Sequence, residues 1–164
     1  MSELRLTTTS VEETQAIAAA FAAVVQAGDL VLLAGDLGAG KTAFTKGLAT
    51  ALGVTEPVTS PTFTLAQVYK GRLTLNHLDV YRLEQMAEVV DLAIPELLEG
   101  NSVTVVEWGD VVAPALPANF MEIEFTFGEG FDDRVLTFRA TGTAWTARSR
   151  TLVEVFQRSQ SAPC

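Results

Sequence analysis

The segment Gly35-Asp36-Leu37-Gly38-Ala39-Gly40-Lys41-Thr42 matches G-x-x-x-x-G-K-[ST] at every defined position. These residue types suit one chemistry. Small residues let successive backbone amides converge on a phosphate at the positive end of the helix that follows. Lys41 brings a point charge to the outer phosphates, and Thr42 brings a hydroxyl to a bound magnesium ion. With Ala43 as the next residue of the helix, Asp36 to Ala43 read as a cradle for a nucleoside triphosphate and Mg2+.

Such a loop needs an acid at the end of a neighbouring strand, to hold magnesium or position water. Asp79 ends the run LTLNHL and Glu107 ends the run SVTVV. The second run is the more apolar, which places Glu107 on the more central strand. Thr62, in Ser60-Pro61-Thr62-Phe63, reads either as a switch-like hydroxyl facing the magnesium or as a turn threonine. Trp108 can stack on a base or serve as a half-buried core indole. His77 has no His or Cys companion, so a structural role is expected and no transition-metal site is proposed.

The elements that must position these groups are legible in the pattern. Leu4–Thr8 reads as a first strand, and Ser10 with Glu13 as a capping box. Ile17, Phe21, Val24 and Val25 mark one face of a helix that Gly28 ends. Asp29–Ala34 is a near-continuous apolar run suited to a central parallel strand. After the loop, Phe44, Leu48, Ala51 and Leu52 point inward on a helix stopped by Gly53. Phe63–Tyr69 and Leu73–Asp79 flank a Lys70-Gly71-Arg72 turn and form a hairpin. Glu84–Glu99 is expected as a helix in two pieces, broken at Pro95. Ser102–Val106 is a second apolar strand, Phe120–Phe127 and Arg134–Ala140 a closing antiparallel pair, and Trp145–Gln157 a helix. Alternating strands and helices followed by hairpins give an α/β fold: one domain over residues 1–164, with a mixed central sheet and helices on both faces. The core runs over about residues 4–140, with a helical tail from about 141 to 164.

The totals narrow the function. With 164 residues, 48% of them hydrophobic, the chain can bury a proper core. No apolar run reaches the roughly 18 residues of a membrane span, and the start MSELRLTTTS lacks the pattern of a signal peptide. A single cysteine, Cys164, forms no internal disulfide, so the expected location is the cytoplasm. A net charge of −9, with three lysines, argues against direct strong binding to DNA or RNA. Arg148, Arg150 and Arg158 form the one candidate basic patch, read as a solvated helix face.

GDLGAGKT, SPTFTL, HLDVYRL and EWGD, in this order and at these separations, resemble the TsaE (YjeE) family over about residues 8 to 140. Each motif beyond the loop is weak alone, and the four together are highly specific. The resemblance implies a single P-loop domain and an ATPase required for threonylcarbamoyladenosine in transfer RNA. It implies that this ATPase joins a TsaD–TsaB complex, meets tRNA only through those partners, and supports repeated rounds of modification without transferring the group itself. By the same resemblance Gly38, Gly40, Lys41 and Thr42 hold phosphates and Mg2+, and Thr62 lies in a switch-like loop. Asp79 and Glu107 serve magnesium and water activation, and Trp108 lies by the nucleotide. The segment Thr8–Thr14, with Thr9, resembles the family's strand–turn near the base, and Arg134 falls where a basic residue often follows an acidic turn. Residues 144–164 match nothing diagnostic.

Three rivals differ in kind. A GTPase would carry N-K-x-D, whereas Asn76-His77-Leu78-Asp79 lacks the lysine. A small-molecule kinase would carry an arginine-rich lid, whereas the nearest Arg pair between Lys41 and Arg134 is Arg72 and Arg82. A nucleotide-dependent interaction module with negligible hydrolysis shares the same residues and differs only in turnover.

Overall fold

The computed structural model describes residues 3–36, 38–58, 66–79, 100–107 and 119–161. Seven strands form one mixed sheet: β1 (Leu4–Thr8), β2 (Leu30–Gly35), β3 (Ala66–Tyr69), β4 (Thr74–Asp79), β5 (Ser102–Glu107), β6 (Phe120–Phe127) and β7 (Arg134–Thr141), in the order β1-β7-β6-β2-β5-β4-β3. β6, β2, β5 and β4 are parallel neighbours. Antiparallel strands flank this block, β3 on one side and β7 then β1 on the other. The pair expected to close the sheet therefore does not stand at its end. β6 lies beside β2, and β1 returns from the start of the chain to form the edge.

The composition of each strand fits its place. All of Leu30 to Ala34 are buried, as are all six residues of β5, so both faces of this pair are covered. β6 alternates buried and half-buried residues, as a strand with one open face does.

The helices are α1 (Val11–Ala22), α2 (Lys41–Ala51), the single turn α3 (Thr143–Thr146) and α4 (Ser149–Ser161). α1 starts as the sequence predicts, with the Ser10 hydroxyl accepting from the Glu13 amide at 3.1 Å. The return bond lands one residue early: Glu13 accepts from the Thr9 amide and the Thr9 hydroxyl, each at 2.9 Å. The helix also ends at Ala22, short of Gly28, and Val24 and Val25 are buried from the turn beyond it. In α2, Phe44 and Leu48 face inward as expected, as does Leu52 at its C-cap, but Ala51 is exposed and Ala49 is buried in its place.

The described helices share one face of the sheet. Phe21 of α1, Phe44 of α2 and Phe156 of α4 enter one cluster with Val31, Leu33, Val103, Val105, Ile123 and Phe138. Trp145, in α3, stacks on Phe21 at 5.4 Å with planes 8° apart. The core thus runs past residue 140 into the tail. Arg148 fixes that tail: its guanidinium bonds both Asp29 oxygens at 2.7 Å, donates to the Val24 carbonyl at 2.9 Å and lies 4.0 Å over the Trp145 ring. This corrects the basic patch, because Arg148 is committed to the core while Arg150 and Arg158 are exposed. Among the described residues no helix is long and apolar enough to cross a membrane.

Candidate functional site

The loop leaves the carboxyl end of β2, the middle strand of the sheet, where ligands of open α/β folds collect. Gly38 (φ 83°) and Gly40 (φ 112°) both adopt the left-handed backbone that side chains disfavour. The Ala39 amide donates to the Asp36 carbonyl at 3.0 Å and closes the turn. Gly40 is the N-cap of α2 and offers no side-chain acceptor, so the first-turn amides suit an anion. Lys41 is 5% exposed, and its ammonium donates to the carbonyls of Gly35 (2.6 Å) and Asp36 (3.1 Å). The charge is thereby held over the loop. Thr42 and Ala43 lie half-buried in the first turn of α2.

Arg134 reaches this loop from far along the chain. Its guanidinium lies 4.7 Å over the Phe127 ring and donates to the Gly38 carbonyl at 3.3 Å. Further bonds to the carbonyls of Phe131 and Asp133, both 2.9 Å, hold it at the base of the β6–β7 turn. Thr9 is brought to the same end, because Thr8 pairs with Arg134 in the β1–β7 ladder.

The parallel ladder aligns the two acids. Asp79 and Glu107 are register partners at the ends of β4 and β5, and Glu107 also pairs with Leu33, two residues before Gly35. Both backbone positions therefore stand at the loop end of the sheet. Glu107 is 3% exposed, and its carboxylate is hydrogen-bonded to Nε2 of the fully buried His77. The expected structural histidine thus holds a candidate catalytic acid, a link that sequence reasoning missed. The usable signal was a histidine two residues before one of the two strand-end acids. Among the described residues, no group of three or more His, Cys, Asp or Glu could hold a metal by itself. Leu37, Thr62, Trp108 and the helix expected over Glu84–Glu99 lie outside the described residues.

Residues 8–135 match the family described as threonylcarbamoyl adenosine biosynthesis protein TsaE. The chain belongs to the TsaE family. It is similar to the TsaE of Bacillus subtilis (strain 168), named as a tRNA threonylcarbamoyladenosine biosynthesis protein, with 44% identity over 146 residues, covering 88% of this chain and 90% of that protein. The TsaE of Treponema pallidum (strain Nichols) is 46% identical over 114 residues, covering 70% of this chain and 84% of its own. The crystal structure of Bacillus subtilis YdiB superposes with a TM-score of 0.79 at 38% identity, covering 98% of this chain and 97% of that one. The TsaE fold therefore extends through the C-terminal helix α4, well beyond the four motifs.

Proposed function

We propose that this chain is the ATP-binding and ATP-hydrolysing component of the machinery that makes threonylcarbamoyladenosine in tRNA, acting with TsaD and TsaB and not transferring the group itself. The observation that carries the reading is the loop on the central strand: two left-handed glycines, a lysine whose ammonium bonds the carbonyls of Gly35 and Asp36, and two strand-end acids whose backbone positions stand at the same end of the sheet. Membership of a family named for that biosynthesis supplies the context.

Magnesium fits the donors at this place. It keeps few protein ligands and takes the rest from phosphates and water, which suits a hydroxyl and one or two carboxylates. Thr42, Glu107 and Asp79 are the residues that would hold it, and the ion would neutralise charge on the phosphates. The chain's own contribution is positional. Lys41 attracts the outer phosphates, the amides after Gly40 face the anion, and Glu107 orients water or the ion. Trp108 and Thr62 are assigned to the nucleotide and switch positions on the motifs alone.

Equilibrium ATP binding by Lys41→Ala tests the loop. A charged donor of this kind is worth about 1.5–3 kcal/mol, so affinity should drop on the order of 10- to 100-fold. Unchanged affinity would remove the loop from nucleotide binding. Phosphate release measured with and without TsaD–TsaB then separates an ATPase from an interaction module.

A further inference from the structure

We infer that His77 is a positioning residue for Glu107, so that the acid at the end of β5 works only in the orientation its neighbouring strand imposes. The inference rests on the proposed role of Glu107 and extends it to His77, the first residue of the HLDVYRL motif, to which the resemblance gives no role.

The geometry supports this from three directions. First, the pair forms across the parallel ladder. His77 pairs with Val105 in register, so Glu107, two residues on, shares its face of the sheet. Second, both side chains are buried, His77 at 0% and Glu107 at 4% exposed. Bulk water therefore competes little for the bonded oxygen Oε2, and a buried hydrogen bond to a charged group has a strong orienting effect. Third, the bond uses one oxygen and one nitrogen. Nε2 bonds Oε2, while Nδ1 is buried with no partner among the described residues. A bare ring lone pair in such a place costs less than an unmade N–H bond, so the tautomer carrying its proton on Nε2 is favoured. The imidazole then donates to the carboxylate and leaves Oε1 as the oxygen available to water or a cation. A purely structural histidine would be expected to satisfy both ring nitrogens. Among the described residues, His77 leaves Nδ1 unmet and spends Nε2 on the strand-end acid.

The chain contains a single histidine, so its ring signals are unambiguous. In long-range 1H–15N spectra of the full chain, His77 should show the Nε2–H tautomer with a slowly exchanging proton. That resonance should move in Glu107→Gln. An Nδ1–H tautomer, or signals indifferent to Glu107→Gln, would overturn the inference without touching the loop assignment.

Kinetics give the second arm. His77→Leu keeps apolar volume and removes the donor, whereas His77→Gln keeps an amide nitrogen near the Nε2 position. Outer residues that orient a working ligand typically cost about 10- to 100-fold when lost. Single-turnover ATP hydrolysis should fall by that factor in His77→Leu, with ATP affinity within about 3-fold, and His77→Gln should restore most of the rate. Combined with Glu107→Gln, the His77→Leu change should add nothing. Wild-type hydrolysis in His77→Leu alongside an inactive Glu107→Gln would overturn the positioning role alone. Wild-type hydrolysis in Glu107→Gln would instead overturn the role of the acid itself. Should His77→Leu fail to fold, the spectra and His77→Gln still decide: a Gln variant as inactive as Glu107→Gln would count against a donor role.

Discussion

The two halves of the sheet treat charge in opposite ways. In the parallel half, β2 and β5 are covered on both faces, and Glu107 is buried with its carboxylate bonded to the His77 imidazole. On the other side, the antiparallel β1 and β7, with β6 where they join the parallel block, turn one face outward. There Arg139 bonds Glu3 at 3.0 Å and Glu122 and Glu124 at 3.1 Å, with 36% of its side chain exposed. The hydrogen bond to Glu3, opposed by partial desolvation and aided by Glu124 and Glu122, raises the Arg139 pKa, so it stays charged at every accessible pH. Arg139 has three carboxylate partners, whereas among the described residues Glu107 has one, and burial makes that one harder to replace. Water screens what it gains, whereas nothing replaces the partner of a buried acid. The number of polar contacts is therefore a poor guide to the site, and burial at the carboxyl edge of parallel strands is a better one.

Substitutions can break or sharpen this contrast. The largest effect belongs to Glu107→Ala. Phosphoryl transfer depends on positioning and charge stabilisation, so single-turnover hydrolysis should fall on the order of 100-fold or more, with ATP affinity within a few-fold. Wild-type turnover would leave Asp79 as the principal acid, and a large loss of affinity would make Glu107 a magnesium ligand needed for binding.

Next comes Arg148→Ala, at the opposite end of β2 from the loop. Asp29 is 7% exposed and would lose its bidentate partner. The expected cost is about 3 kcal/mol of unfolding free energy, read from denaturant titration. ATP affinity below the unfolding transition should stay unchanged. A selective loss of affinity would show that the tail communicates with the loop.

The smallest effect is expected for Arg139→Ala. A surface network of this exposure contributes at most about 1 kcal/mol, and the difference from wild type should shrink as salt is raised. A larger, salt-independent loss would erase the distinction between the halves.

Much of this was legible because it is local. The loop is a contiguous pattern whose glycines declare their own backbone angles. The Ser10–Glu13 cap spans four residues, and the continuous apolar run of β2 and the Val-rich run of β5 announce strands covered on both faces. Even the strand-end acids could be named, since each follows its run directly. Helix ends were less legible: α1 stops at Ala22 although its apolar pattern continues, because Val24 and Val25 reach the core from a turn.

The sequence by itself determined the phosphate loop, the strands that carry it and the α/β class, all of which follow from spacing within a few residues. Only the tertiary structure decided the pairings. Strand order alone places β4 beside β5 and so joins His77 to Glu107. The fold of the β6–β7 turn brings Arg134 to Gly38, and the packing of α3 and α4 on the aromatic core brings Arg148 to Asp29. These partners lie 30, 96 and 119 residues apart. No local propensity encodes such distances. They are fixed when buried surfaces choose the order of the sheet, and a buried charge then takes whichever partner that order supplies.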